Sequence, residues 1–236
     1  MKKENGFTLL EVIVALFIGS FMMVAIYAAI DTAQISSSKI ERRVIAQQDV
    51  RSVLELMAAE IQMVSYNPSL LKRWVNPADC ATLATNQDYK GILEATADSI
   101  TLEMDIDQSA FVGDHENEII SYGYDSGNQY IWRETRRQGA CTQNHQSVLG
   151  AANANANTKT VLVTNDAAGV PVFRYYDGSG VELAVPVTTS IPDIRRIDIT
   201  LVVDTQYEDP RGGGRKRMIY TTSVIPRNHI PVPTYD

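Results

Sequence analysis

Gly6-Phe7-Thr8-Leu9-Leu10-Glu11, running into the apolar stretch Val12 to Ile30, decides the fold of this 236-residue chain. Met1-Lys2-Lys3-Glu4-Asn5 ahead of it is short and polar, and Glu11 is the only charge between Phe7 and Ile30. About 24 apolar residues make roughly 36 Å of helix at about 1.5 Å per residue. That spans a hydrocarbon core of about 30 Å. The run is too long for a secretory signal core and has no small-x-small cleavage site at its far end. The small residue, Gly6, stands before it instead. A carboxylate inside hydrocarbon costs on the order of 2.5–3.5 kcal/mol on insertion scales, so Glu11 calls for a partner. The basic residues Lys2 and Lys3 precede the span and the next is Lys39. The positive-inside bias then holds the start of the chain in the cytoplasm and sends the rest across the membrane.

Gly6-Phe7-Thr8-Leu9-Leu10-Glu11 resembles the N-terminal signal of type IV pilins and pseudopilins. The resemblance implies cleavage by a prepilin peptidase after Gly6, N-methylation of the new amino terminus at Phe7, and a role for Glu11 in assembly. It implies a leader over residues 1–6, a transmembrane and filament-core helix over 7–30, its amphipathic continuation over 31–66, and a β-rich periplasmic head over 67–236. A staggered neighbour in a filament can bring its Phe7 amine beside Glu11. Opposite charges about 4 Å apart attract by roughly 4 kcal/mol at an effective dielectric near 20. That offsets the burial of Glu11 and sets axial register, which nondirectional apolar contact does not.

Beyond the apolar run, Ile40, Val44, Val50, Val53, Leu54, Met57, Ile61 and Val64 recur at three- and four-residue steps, with charges on the opposite face. This predicts one helix from about Phe7 to about Ser65, ending before Asn67-Pro68. Leu70 to Lys90 reads as irregular. Strands are predicted from Ser99 onward: around Ile100–Met104, at Ile119–Tyr124 and Tyr130–Glu134 on either side of the turn Asp125-Ser126-Gly127-Asn128, and at Lys159–Thr164, Val170–Tyr176, Val181–Val185, Ile194–Val203 and Lys216–Ile225. A loop with Cys141 and the low-complexity run 151–157 separates the two groups, and Asp177-Gly178-Ser179-Gly180 is a further turn. The expected class is α+β: a long N-terminal helix packed on an antiparallel sheet. Phe173-Arg174-Tyr175-Tyr176-Asp177, Ile194 to Leu201 and Thr221 to Asn228 look like the corresponding segments of PilW-type minor pilins, and next like J-type minor pseudopilins of type II secretion.

The formal charge is −7, and losing a leader with two lysines and one glutamate takes it to −8. That argues against general nucleic-acid or anionic-lipid binding. Two cysteines, Cys80 and Cys141, allow one pairing in an oxidising compartment, a disulfide that closes a long loop; two buried free thiols are the alternative. Neither they nor the scattered His115, His145 and His229 suggest a metal site. Asp105, Asp107, Asp114, Glu116 and Glu118 offer hard oxygen ligands but lack the EF-hand pattern, and read as a solvated acidic loop. Arg211-Gly212-Gly213-Gly214-Arg215-Lys216-Arg217 reads as a charged hairpin tip rather than a phosphate loop. Tyr122, Tyr124, Tyr130 and Trp132 read as cross-strand aromatic pairs rather than a ligand platform.

No GxSxG, HExxH or CxxC pattern is present, so no enzyme, cofactor or small-molecule substrate is expected. The reading favoured is a minor pilin that helps initiate, prime or cap a type IV pilus. Its partners would be prepilin peptidase, other minor pilins, the major pilin and the inner-membrane assembly platform. It would sit in the inner membrane with its head in the periplasm and pass from there to the cell surface. A type II secretion pseudopilin is the nearest alternative. A signal-anchored periplasmic enzyme or binding module, which would need a convergent polar pocket, is the next.

Overall fold

Helix α1, Leu9–Met63, runs 55 residues without a proline and with Gly19 as its one glycine, close to the limits set by its periodicity. It is long and apolar enough, by length and composition, to cross a membrane. The computed structural model describes residues 6–69, 74–76, 82–83, 91–137, 146–150, 161–206 and 214–229. Contacts divide the chain into two units, Met1–Ile45 and Ala46–Asp236. In the first, the large apolar side chains of α1 are exposed apart from the half-buried Ile35, and Phe17 and Phe21, one helical turn apart, form a tilted ring pair with centroids 5.3 Å from each other.

In the second unit the buried side chains of α1 are Ala46, Val50, Val53, Leu54, Met57 and Ile61, a three- and four-residue stripe along one face. They join a core supplied by two sheets, not the single sheet expected. Each such aliphatic side chain taken from water contributes about 1.5–3 kcal/mol. Leu102, Ile120 and Tyr122 enter that core from the first sheet; Phe173, Tyr175, Ile197, Ile199 and Leu201 enter from the second.

The first sheet is an antiparallel meander in the order β1 (Ile92–Ala95), β2 (Ser99–Glu103), β3 (Ile119–Asp125), β4 (Tyr130–Arg136), β5 (Gln146–Gly150). The hairpin at Asp125 forms as predicted, the Asp125 carboxylate accepting from both the backbone and the side-chain amide of Asn128 at 2.9 Å. Two strands were not expected. β1 lies ahead of Ser99, and β5 lies in the stretch read as loop. Both are completed by ladder partners rather than by their own pattern.

The second sheet runs β10 (Arg217–Val224), β9 (Arg196–Thr205), β7 (Phe173–Tyr176), β8 (Glu182–Leu183), with β6 (Val161–Val163) also pairing β9. Val161 and Val163 face Thr205 and Val203 of β9, whereas Phe173 to Tyr176 face Ile199 to Arg196 further back along it. Between them the short helix α2, Asn165–Ala168, leaves a gap in the ladder that the Asn165 side chain fills. Its Nδ2 donates to the Thr200 carbonyl at 2.8 Å and the Val170 carbonyl at 3.1 Å, and its Oδ1 accepts from Val202 N–H at 2.8 Å.

Where α1 ends, Ser65 takes a left-handed φ of 63° and its N–H donates to the Glu103 carbonyl at 3.0 Å. Gly91 lies against this junction at φ 84°, and a Cβ there would stand 2.6 Å from the Glu103 carbonyl oxygen and 2.7 Å from the Ser65 nitrogen. Only glycine fits both the backbone angle and the space.

Candidate functional site

The start of α1 is a capping box. Thr8 precedes the first helical residue and Glu11 is the third residue in. Glu11 Oε2 accepts from both Thr8 N–H and the Thr8 hydroxyl at 2.9 Å, while Glu11 N–H donates to Thr8 Oγ1 at 3.3 Å. These bonds satisfy amide donors that a helix start leaves without intrahelical acceptors. Among the described residues, Glu11 Oε1 accepts no hydrogen bond. Phe7, next along, is 88 % exposed, and nothing crowds Gly6. Thr8-Leu9-Leu10-Glu11 is the Thr-x-x-Glu pattern of such a cap, a signal that the sequence carries and that the assembly reading of Glu11 passed over.

The loop between β2 and β3 differs from the solvated acidic loop expected. Asp107, Asp114 and Glu116 are exposed, but Asp105 and Glu118 are buried. The reason is local backbone. Glu118 Oε1 accepts from Ile106 N–H at 3.0 Å, and Oε2 accepts from Gly113 N–H at 2.9 Å and His115 N–H at 3.2 Å. The loop is folded around that one carboxylate. Burial pushes the Glu118 carboxyl above its ordinary range, and the His115 and Gly113 amides pull it back part of the way. Glu103, two residues before Asp105 and fully buried, is pushed well up by desolvation while its Oε2 accepts from Val75 N–H at 3.0 Å.

A second polar cluster braces α1 to the first sheet within the second unit. Arg133 Nη2 donates to Glu60 Oε1 at 2.7 Å and its Nε lies 3.2 Å from both Glu60 oxygens. The Tyr122 hydroxyl donates to Glu60 Oε2, and Arg133 Nη2 also reaches Asn117 Oδ1 at 3.0 Å. Every member has a partner inside the cluster, and its four side chains come from α1, β3, β4 and the loop before β3. It reads as structural.

The four aromatics do not form one set of cross-strand pairs. Tyr122 and Tyr124 turn toward the core, Tyr122 fully buried. Trp132 lies on the other face, its indole over Gly123, where a Cβ would come far inside contact distance. Tyr130 has the same parity as Trp132 on β4 and faces the same way. His229 is a core histidine, Nδ1 at 2.9 Å from the Ser65 hydroxyl and Nε2 at 2.8 Å from the Ile191 carbonyl. Cys80, Cys141, His145 and the stretch Arg211-Gly212-Gly213 lie outside the described residues.

Residues 1–27 match the family described as the prokaryotic N-terminal methylation motif. A sequence comparison with curated proteins gives no match. Among solved structures, a type IV-like pilin from Thermus thermophilus aligns over 78% of this chain and 98% of its own, at 12% identity and a TM-score of 0.45. The chain thus carries a prokaryotic N-terminal methylation motif at the start of a long apolar helix, followed by antiparallel sheets in an α+β fold. Its motif fits processing by prepilin peptidase and a membrane-anchored subunit.

Proposed function

We propose that the chain is a minor pilin, a structural subunit that helps initiate, prime or cap a type IV pilus. The observation that carries this is the match of residues 1–27 to the methylation motif, on an apolar helix whose large side chains are exposed; Gly6-Phe7 would be its cleavage position. On this reading residues 1–6 are removed, Phe7 is methylated, and residues 7–30 sit in the membrane and then in the filament core. Residues 31–66 continue the helix and 67–236 form the periplasmic head, with Cys80 and Cys141 bonded to each other. Apolar side chains left in water along one long helix are costly, and like helices bundled around them remove that cost. The charge between one subunit's Phe7 amine and the next subunit's Glu11 supplies register. The resemblance of Phe173–Asp177, Ile194–Leu201 and Thr221–Asn228 to PilW-type proteins favours a minor subunit, and in the fold these segments contribute β7, β9 and β10 of one sheet.

Intact-mass measurement of the membrane-extracted protein tests the processing. A mature chain beginning at N-methylated Phe7 is expected where prepilin peptidase is active, and a chain that keeps Met1 to Gly6 there would remove the assignment. Recovery of the subunit in sheared pili, and fewer pili on its deletion, distinguishes a pilus from a secretion pseudopilus.

A further inference from the structure

We propose that the β2–β3 loop binds one calcium ion on the carboxylates of Asp105, Asp107 and Glu118. One oxygen from each lies within 4.8 Å of the others, a spread compatible with a shared ion at the 2.3–2.6 Å of a calcium–oxygen bond. Proximity of acidic groups alone is common on protein surfaces. This group differs in that Asp105 is 1% exposed and its Oδ1, fully buried, accepts no hydrogen bond. The orphaned oxygen is either the one counted in that group or its neighbour on the same carboxyl carbon. A buried carboxylate oxygen without a donor is expensive, and it is satisfied by a proton, a donor or a cation. Among the described residues no lysine or arginine pairs with any of the three carboxylates; Arg133, Arg136 and Arg137 pair with Glu60, Glu134 and Glu116.

The other oxygens are held in place by backbone. Asp105 Oδ2 accepts from Ala110 N–H at 3.2 Å, Asp107 Oδ1 from Ser109 N–H at 2.9 Å, and both Glu118 oxygens from the three amides already described. Each carboxylate is thus oriented by a loop amide while keeping lone pairs for a ligand. Three oxygen donors of one charge type suit a hard cation. Calcium is favoured over magnesium because magnesium keeps most of its waters and avoids buried protein cages. The ion would tie both ends of the 104–118 loop together, beside the small core of Trp74, Val75, Val112 and Ile119.

The test uses the full chain in detergent micelles, stripped with chelator and titrated with calcium chloride alone by calorimetry. One ion per chain is expected, with a Kd of about 1 mM or tighter. Calcium a hundredfold above Kd should raise the melting temperature by about 5–10 °C. Asp107 is exposed, so Asp107→Asn should leave the calcium-free melting temperature unchanged while weakening calcium binding at least tenfold. Asp105→Asn should abolish the calcium-induced shift. The proposal is overturned if the wild type shows no saturable binding, if Asp107→Asn binds as the wild type does, or if magnesium gives the same affinity and shift as calcium.

Discussion

Glu11 Oε2 holds both donors of Thr8, so alanine at this position removes a helix cap as well as a charge. Glutamine keeps an acceptor for the capping box and removes only the charge. If the charge sets register, Glu11→Gln and Glu11→Ala should lower incorporation into filaments alike, while Ala alone loses about 0.5–2 kcal/mol from the helix start. The measurement is the amount of this subunit in sheared filaments at equal cellular level. For a subunit at a filament tip, which has fewer neighbours, a partial loss is expected. Wild-type incorporation of Glu11→Gln would assign the carboxylate to capping alone. Tyr175 carries a pH dependence of calculable sign. Burial, reinforced by the charges of Glu94 and Asp98, pushes its phenol well above 10.0, and its hydroxyl donates to the Thr96 carbonyl at 2.9 Å. Below pH 10 the folded and unfolded chains are equally protonated there and the group adds no slope. Above it the unfolded phenol ionises and the folded one does not, so stability falls by up to about 1.4 kcal/mol per pH unit. Urea unfolding from about pH 8 to pH 11 should show a shallower alkaline decline in Tyr175→Phe, at a cost of about 1 kcal/mol near neutrality. An identical decline in both proteins would place the titration elsewhere.

Asn165 does the work of a strand residue from the first position of a four-residue helix. Asn165→Ala would strip the carbonyls of Val170 and Thr200 and the amide of Val202 of a partner in a buried place. A loss of roughly 2–4 kcal/mol in chemical denaturation is expected. A loss below about 0.5 kcal/mol would mean that water reaches the gap. No periodicity announces this asparagine, because its role depends on β6 and β7 pairing different stretches of β9. The same contrast separates the strands that could be read from those that could not. Ile119–Asp125 and Tyr130–Arg136 are rich in β-branched and aromatic residues around an Asp-Ser-Gly-Asn turn, so local preference and tertiary structure agree. Ile92-Leu93-Glu94-Ala95 is composed mostly of residues that favour helices, and it is a strand because Leu102, Thr101 and Ile100 stand opposite it. β5 begins Gln146-Ser147 beside low-complexity sequence and borrows its strand character from β4.

At the scale of the molecule, the buried residues of α1 begin at Ala46, and the preceding apolar ones are exposed apart from the half-buried Ile35. A fragment from Lys39 to Asp236, which keeps about two helical turns ahead of Ala46, should therefore be soluble without detergent and unfold cooperatively by circular dichroism. Aggregation of that fragment under conditions where the detergent-held full chain is monodisperse would show that the core is incomplete without residues 7–38. The membrane-length helix, its N-terminal motif and the α+β class were legible because each is written in consecutive residues. The burial of Asp105 and Glu118 was not, since five acidic residues in fourteen look the same in sequence whether a loop turns them outward or closes over two of them. The division of the aromatics between two faces was half legible: strand parity separates Tyr122 from Trp132 only once the register of β3 against β4 is known. The order of the strands also bears on how the chain reaches this state. In the first sheet, spatial order is chain order, so each strand finds its partner in the strand just completed. Such local contacts form early and carry little loop-closure entropy. β6 and β7 must both wait for β9. A chain delivered from its N-terminus can assemble the meander as it emerges, with the second sheet closing last, once the segment through Val224 has arrived.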